Sequence, residues 1–143
     1  MRYVIIVKAT ADSEAAKMPT EEQLREMADY HEQLQRAGVV LDASGLRPSK
    51  DGFRVQYEQG RRTIIDGPFA ETKELIAGYT IIQVKSPDEA KEWARRFPMP
   101  YAGYDDLHIE VRRMWELEDF VQGDGVAMFR QMGLGEGPPE GVA

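Results

Sequence analysis

His31 and His108, together with a scatter of carboxylates, are the side chains here that could do proton chemistry. An imidazole titrates near neutrality, so His31 could act as a general acid or base if a carboxylate faced it. Asp42 and Asp66 are the candidate partners; the first lies on the strand expected after the His31 helix, the second heads a Gly-Pro loop. The other reading of His31 is a histidine satisfied within the core. Glu71, Lys73 and Glu74 follow Asp66 closely and either rim a pocket or form a solvated loop whose ion pairs contribute little. Tyr79, at the head of the next strand, joins them as a binding candidate. His108, Glu110 and Arg112 alternate along a final strand face. Charges on a covered face must be paired or wetted, so these three make either a site for a small polar or anionic molecule or a structural Glu–Arg network.

Other chemistries find little support. The two histidines lack His-x-x-x-His spacing and there is no cysteine, so no metal site is expected. The chain has no phosphate-cradling P-loop and no Gly-x-Ser-x-Gly elbow, and no cofactor is expected. The 25 acids against 18 bases leave a net charge of −7, which disfavours nucleic-acid binding because phosphate contacts need a basic footprint. The apolar start, Tyr3 to Val7, is too short for a signal peptide, and no run reaches the roughly 18 apolar residues of a membrane span. A cytoplasmic protein with no membrane association is the expectation.

The elements that must position these residues read as follows. Residues 2–9 form a strand apolar on both faces. Residues 10–18 are a polar loop. Thr20 caps a helix with Gln23 three residues on, and the helix ends at Gly38. Its apolar stripe is Leu24, Met27, Ala28, His31 and Gln35, with Leu34 at the margin and His31 near the centre. A strand follows from Val39 toward Leu46. Residues 53–57 and 62–66 pair as a hairpin. The stretch Ile64 to Ile82 joins two apolar runs through the loop Asp66-Gly67-Pro68-Phe69-Ala70-Glu71-Thr72-Lys73-Glu74. A strand runs from Gly78 to Val84. Ser86, Pro87 and Glu89 start a second helix that buries Ala90, Trp93, Ala94 and Phe97 and ends at Pro98 and Pro100. Residues 101–106 are a loop, and a last strand spans Leu107 to Met114. Short helices broken near Gly123-Asp124-Gly125 occupy 115–132. Residues 133–143, with four glycines and two prolines, read as a disordered tail. Residues 1–132 thus form a single domain, as the length of 143 residues suggests.

The order β-α-β-β-β-β-α-β, with the middle hairpin as an insertion, describes an α+β, ferredoxin-like antiparallel sheet. Its two long helices can cover only one face. The other face, apolar over several hundred Å2 by rough estimate, needs a lid. That lid is either a second copy in a two-fold homodimer or the segment 115–132 folding back.

On the Asp66 to Glu74 motif, followed by Gly78-Tyr79 and by Glu110-Val111-Arg112, the chain resembles the YCII-related family and, within it, the DGPF-motif branch. The resemblance spans residues 2 to about 116. It implies a ferredoxin-like fold paired into a dimeric α+β barrel. It also implies a cleft with a His and Asp pair suited to acid/base work, with His31 as the matching helix histidine. Members of this branch often sit beside extracytoplasmic-function sigma factors, which implies an accessory or regulatory role as the alternative to a small-molecule cleft. Whether the chain is an enzyme stays open.

Overall fold

The computed structural model describes residues 1–99, 104 and 106–141. Pro100 and most of the loop expected over 101–106 lie outside the described residues.

Strand β1 (Arg2–Lys8) leads into a short helix α1 (Ala11–Glu14) in the stretch expected to be loop. Thr10 and Ser13 cap one another there, a reciprocal pair that satisfies the first free amides. Helix α2 (Glu21–Arg36) begins at the expected capping box, with the Gln23 amide bonded to Thr20 Oγ1 at 3.1 Å and the Thr20 amide to Gln23 Oε1 at 2.9 Å. Then come β2 (Val40–Gly45), the pair β3 (Phe53–Glu58) and β4 (Arg61–Asp66), β5 (Ile76–Gln83), α3 (Pro87–Arg95), β6 (Ile109–Arg113) and α4 (Asp124–Met132). Ser86 accepts from the Glu89 amide and Pro87 occupies the first turn of α3, as its sequence predicts.

The main sheet is antiparallel in the order β2-β5-β1-β6, the ferredoxin-like arrangement, while β3 and β4 pair only with each other. Ile5 stands opposite Thr80 on β5 and Val111 on β6, so Tyr3, Ile5, Ile82 and Val111 share the face that the helices cover. Tyr30 and Leu34 from α2 and Ala90 and Trp93 from α3 close on that face. Leu34, Ile5 and Ile82 are fully buried.

Helix α2 is rotated from the stripe expected of it. Leu34 and Tyr30 are buried at its centre, Met27 and His31 flank them, and Leu24 is 51% exposed. The phase is set by Tyr30, whose ring is core while its hydroxyl donates to the Trp93 carbonyl at 2.7 Å, uniting apolar body and satisfied polar tip. Phe97 and Trp93 pack edge-on against the same ring.

The opposite face carries Val4 and Ile6 from β1, Tyr79 and Ile81 from β5, and Glu110 and Arg112 from β6. Its apolar side chains are only half-buried. At one end the chain after β6 ties down: Arg2 Nε sits 3.0 and 3.3 Å from the Glu116 carboxylate oxygens, and Arg2 Nη2 donates to the Trp115 carbonyl. Within that segment Leu117 and Val126 are buried. Of the tail expected to be disordered, residues 133–141 are described; Gln83 Nε2 donates to the Pro138 carbonyl there, and Gly135 lies against Leu117. None of the described helices is long and apolar enough to cross a membrane.

Burial pushes the Tyr30 phenol up to about 12, partly offset by the Arg96 charge. A raised acid favours the native state while it stays neutral. Stability should hold below about pH 10 and fall by roughly 2–3 kcal/mol as pH climbs toward 12. Urea titrations across that range check this, and Tyr30→Phe should flatten the loss. Gly67 sets a second expectation. A Cβ there would lie 1.8 Å from the Ser49 carbonyl oxygen. Gly67→Ala should therefore cost about 1–3 kcal/mol or more in urea unfolding, because backbone, not a flexible side chain, must yield.

Candidate functional site

Between α2, the segment following α1 and the junction of β2 with β5 lies a cleft of about 650 Å3. Its walls are mainly apolar, with Met18, Leu24, Met27, Leu46 and Phe97 among them, and His31 reaches it from α2. Lys17 and Arg47 stand on its rim, paired with Asp12 at 3.7 Å and Asp51 at 2.9 Å.

Both nitrogens of His31 are engaged. Nδ1 lies 2.8 Å from the Met27 carbonyl oxygen one turn earlier in α2. A carbonyl cannot donate, so Nδ1 carries the proton. In the neutral ring Nε2 is then the acceptor, and the Thr80 hydroxyl, 2.8 Å away, supplies the hydrogen. Thr80 is 2% exposed on the helix-facing side of β5. Tyr30 and Phe97 present their rings edge-on to the imidazole, fixing its tilt.

The expected carboxylate partners lie elsewhere. Val40 packs against the core, and strict alternation would send Asp42 to the same face. A bulge between Val40 and Asp42 adds a residue and reverses the parity, so Asp42 pairs with Ile81 on the helix-free face. There its Oδ2 accepts from Tyr79 Oη at 2.9 Å and its Oδ1 from the Ala43 amide. That hydrogen bond holds the Tyr79 phenol above its ordinary range, with burial and the Asp42 charge adding to the effect. Asp66 ends β4 opposite Phe53, exposed at the root of the hairpin, and is not among the residues lining the cleft. The structure thus brings His31 together with Thr80 and Asp42 with Tyr79, and the two pairs lie on opposite sides of the sheet.

Glu71, Lys73 and Glu74 are exposed on a single turn of 3-10 helix (Thr72–Glu74) and its lead-in. His108 is exposed just ahead of β6. Glu110 and Arg112 point away from α2 and α3 and lie 3.7 Å apart as an ion pair.

Three functional-looking residues escape a reading of the sequence. Thr80 hides within an apolar strand. Glu14 and Ser49 form a relay: the Ser49 amide and hydroxyl both donate to the Glu14 carboxylate, and Ser49 Oγ accepts from the Phe69 amide at 3.0 Å. This ties α1 to the Asp66–Phe69 loop. The Arg54 guanidinium lies 3.7 Å over the Phe69 ring and the Gly67 amide bonds the Gly52 carbonyl, so the loop is held on every side. Its role here is anchorage rather than pocket lining.

Residues 1–118 match the YCII-related domain, and the chain belongs to the YCII-related family. An uncharacterised protein of Rhizobium meliloti (strain 1021), R00369, is 31% identical over 80 residues. That match covers 56% of this chain and 64%, just under two thirds, of the relative's length. Among solved structures, the 5-chloro-2-hydroxyhydroquinone dehydrochlorinase TftG from Burkholderia phenoliruptrix AC1100, in complex with 2,5-dihydroxybenzoquinone, is similar at 14% identity. The similarity covers 81% of this chain and 95% of that one with a TM-score of 0.45.

The pairing of His31 with Thr80 makes a direct prediction. Thr80→Val should leave Nε2 without its partner and cost about 1–3 kcal/mol in urea unfolding. Nitrogen NMR of the wild type should show Nδ1 protonated in the neutral ring, and Asp42→Asn should leave those imidazole signals in place.

Proposed function

We propose that this protein binds a small, largely apolar molecule in the α2 cleft, with His31 as its polar anchor, and works as a homodimer. The observation that carries the reading is a cleft of about 650 Å3 whose apolar walls enclose one oriented imidazole. Small-molecule sites typically occupy roughly 300–1,000 Å3 and combine apolar walls with a few placed polar groups. The imidazole can take part in acid/base work only through Nε2, because Nδ1 is committed to the helix backbone. A ligand donor would displace the Thr80 hydroxyl to reach it. Neither Asp42 nor Asp66 assists from within the cleft, so acid/base chemistry here would rest on the imidazole and hydroxyl. The homodimer is supported by the half-buried Val4, Ile6 and Ile81 on the sheet face opposite α2 and α3, where Trp115 and Gly135 border Val4 and Ile6 at one end.

A second reading is an accessory module that acts through protein contact. Trp115, Val121 and Met128, which are 70%, 95% and 62% exposed after β6, favour it.

Thermal-shift screening with small aromatic acids, phenols and quinones tests the first reading. Hits should raise the melting temperature of the wild type, and His31→Gln should weaken their binding at least tenfold in calorimetry. Hits that bind His31→Gln and a cleft-filling Met27→Trp variant as tightly as the wild type would sink it. Under the second reading Met27→Trp would leave partner capture untouched.

A further inference from the structure

The β3–β4 hairpin stands apart from the domain. Every residue from Phe53 to Asp66 is exposed, and its two strands pair with each other alone. The register puts Phe53, Val55, Tyr57 and Ile64 on one face, together with Asp66 and with Arg62, whose guanidinium lies 5.4 Å over the Tyr57 ring. The first four are 63%, 40%, 72% and 66% exposed. A lone two-stranded hairpin is marginal in water, and one with exposed apolar side chains is also a hazard for edge pairing.

The root of this hairpin is nonetheless held tightly. Gly67 packs against the Ser49 backbone, its amide bonds Gly52, and Arg54 stacks on Phe69, whose amide bonds Ser49. A fixed base under an exposed blade, apolar along its middle and charged at Arg62 and Asp66, is the build of an arm aimed at a partner, since a rigid arm loses little freedom on docking.

We infer that β3–β4 is an intermolecular arm whose Phe53, Val55, Tyr57 and Ile64 face packs on the helix-free sheet face of a second copy of this chain. The inference rests on the homodimer reading above. Area argues for this occupant. An aromatic side chain buries about 150–250 Å2, so Phe53 and Tyr57, at their exposures, still offer roughly 200–340 Å2 per arm. Two arms, each covering an equal area of the opposing sheet, bury about 800–1,350 Å2 from the rings alone. Val55 and Ile64 carry the total into the roughly 1,200–2,000 Å2 of a stable interface. The receiving face matches in character, with Val4, Ile6 and Ile81 half-buried between polar neighbours.

Sedimentation equilibrium and light scattering test the arm. The wild type should be a dimer at micromolar concentration. The Tyr57→Glu/Ile64→Thr double variant alters exposed positions and sets a carboxylate opposite Arg62, a favourable cross-strand pair, so its circular dichroism should match the wild type while its dimer dissociation constant rises at least 100-fold. A chain with residues 54–65 replaced by a short Gly-Ser linker should behave likewise. The chain has no cysteine, so Tyr57→Cys and Ile6→Cys variants can be mixed and oxidised, and a disulfide should form between the two. If the double variant and the armless chain dimerise as tightly as the wild type, the arm is not the clasp, although the dimer stands. If both are monomeric and the mixed disulfide is absent, the arm does not seat on the sheet. A wild type that stays monomeric at tens of micromolar overturns the dimer and the arm together.

Discussion

Neighbouring residues of a strand face opposite ways, and at Tyr79 and Thr80 that parity governs how polar groups are shared out through the domain. Thr80 turns toward the helices and meets His31; Tyr79 turns away and meets Asp42. The sheet between them is a wall of Ile5, Ile82 and Val84, so the two pairs cannot exchange partners without breaking the core. The cleft on the helix side thereby keeps an imidazole with no nearby carboxylate from Asp42. Asp42 and Glu110 lie on the opposite face of the sheet, where each already holds a partner. Parity also explains why β2 needs its bulge: without it Asp42 would be driven into the helix-covered face, where an unpaired charge is costly.

Much of the architecture is legible in the sequence, for local reasons. The Thr20 and Gln23 capping box and the Ser86, Pro87, Glu89 start signal depend only on near neighbours in sequence, and both helices begin where those signals stand. The hairpin follows from period-two alternation around the Gln59-Gly60 turn, and the sheet order follows from the element order. What escaped depends on contacts distant in sequence. The phase of α2 turned on Tyr30, a residue whose polar tip disguises a core ring until the Trp93 carbonyl is seen to receive it. Thr80 cannot be told from a routine strand residue in the sequence, because nothing local reveals the imidazole beside it. The proposed meeting of His31 with Asp42 or Asp66 failed on a bulge and on a hairpin root, neither of which leaves a compositional trace. Glu14 and Ser49, separated by 35 residues, became a pair only in three dimensions.

The Asp66–Phe69 loop was distinctive as sequence, and its density of special residues invited a chemical reading. Its surroundings give a mechanical one. Glycine stands at 67 because the Ser49 carbonyl occupies the space of a side chain, and Phe69 offers its amide to one neighbour and its ring to another. Glu14 extends this hold back to the segment bearing Lys17 and Met18, which border the cleft. The loop therefore connects the base of the hairpin to one wall of the cleft through a continuous set of contacts. Anchorage at one end and ligand space at the other share a single support.

The hydroxyl of Thr80 has a property that the imidazole needs. A hydroxyl can give or take a hydrogen bond by rotating about one torsion. When His31 is neutral, Thr80 donates to Nε2; were the ring to gain a proton there, the same oxygen could accept it without any heavy atom moving. The pair therefore keeps its hydrogen bond in either case. A carboxylate in that position would bind the charged ring much more strongly than the neutral one. Threonine leaves Nε2 bonded to a neutral partner that a group entering from the cleft can replace.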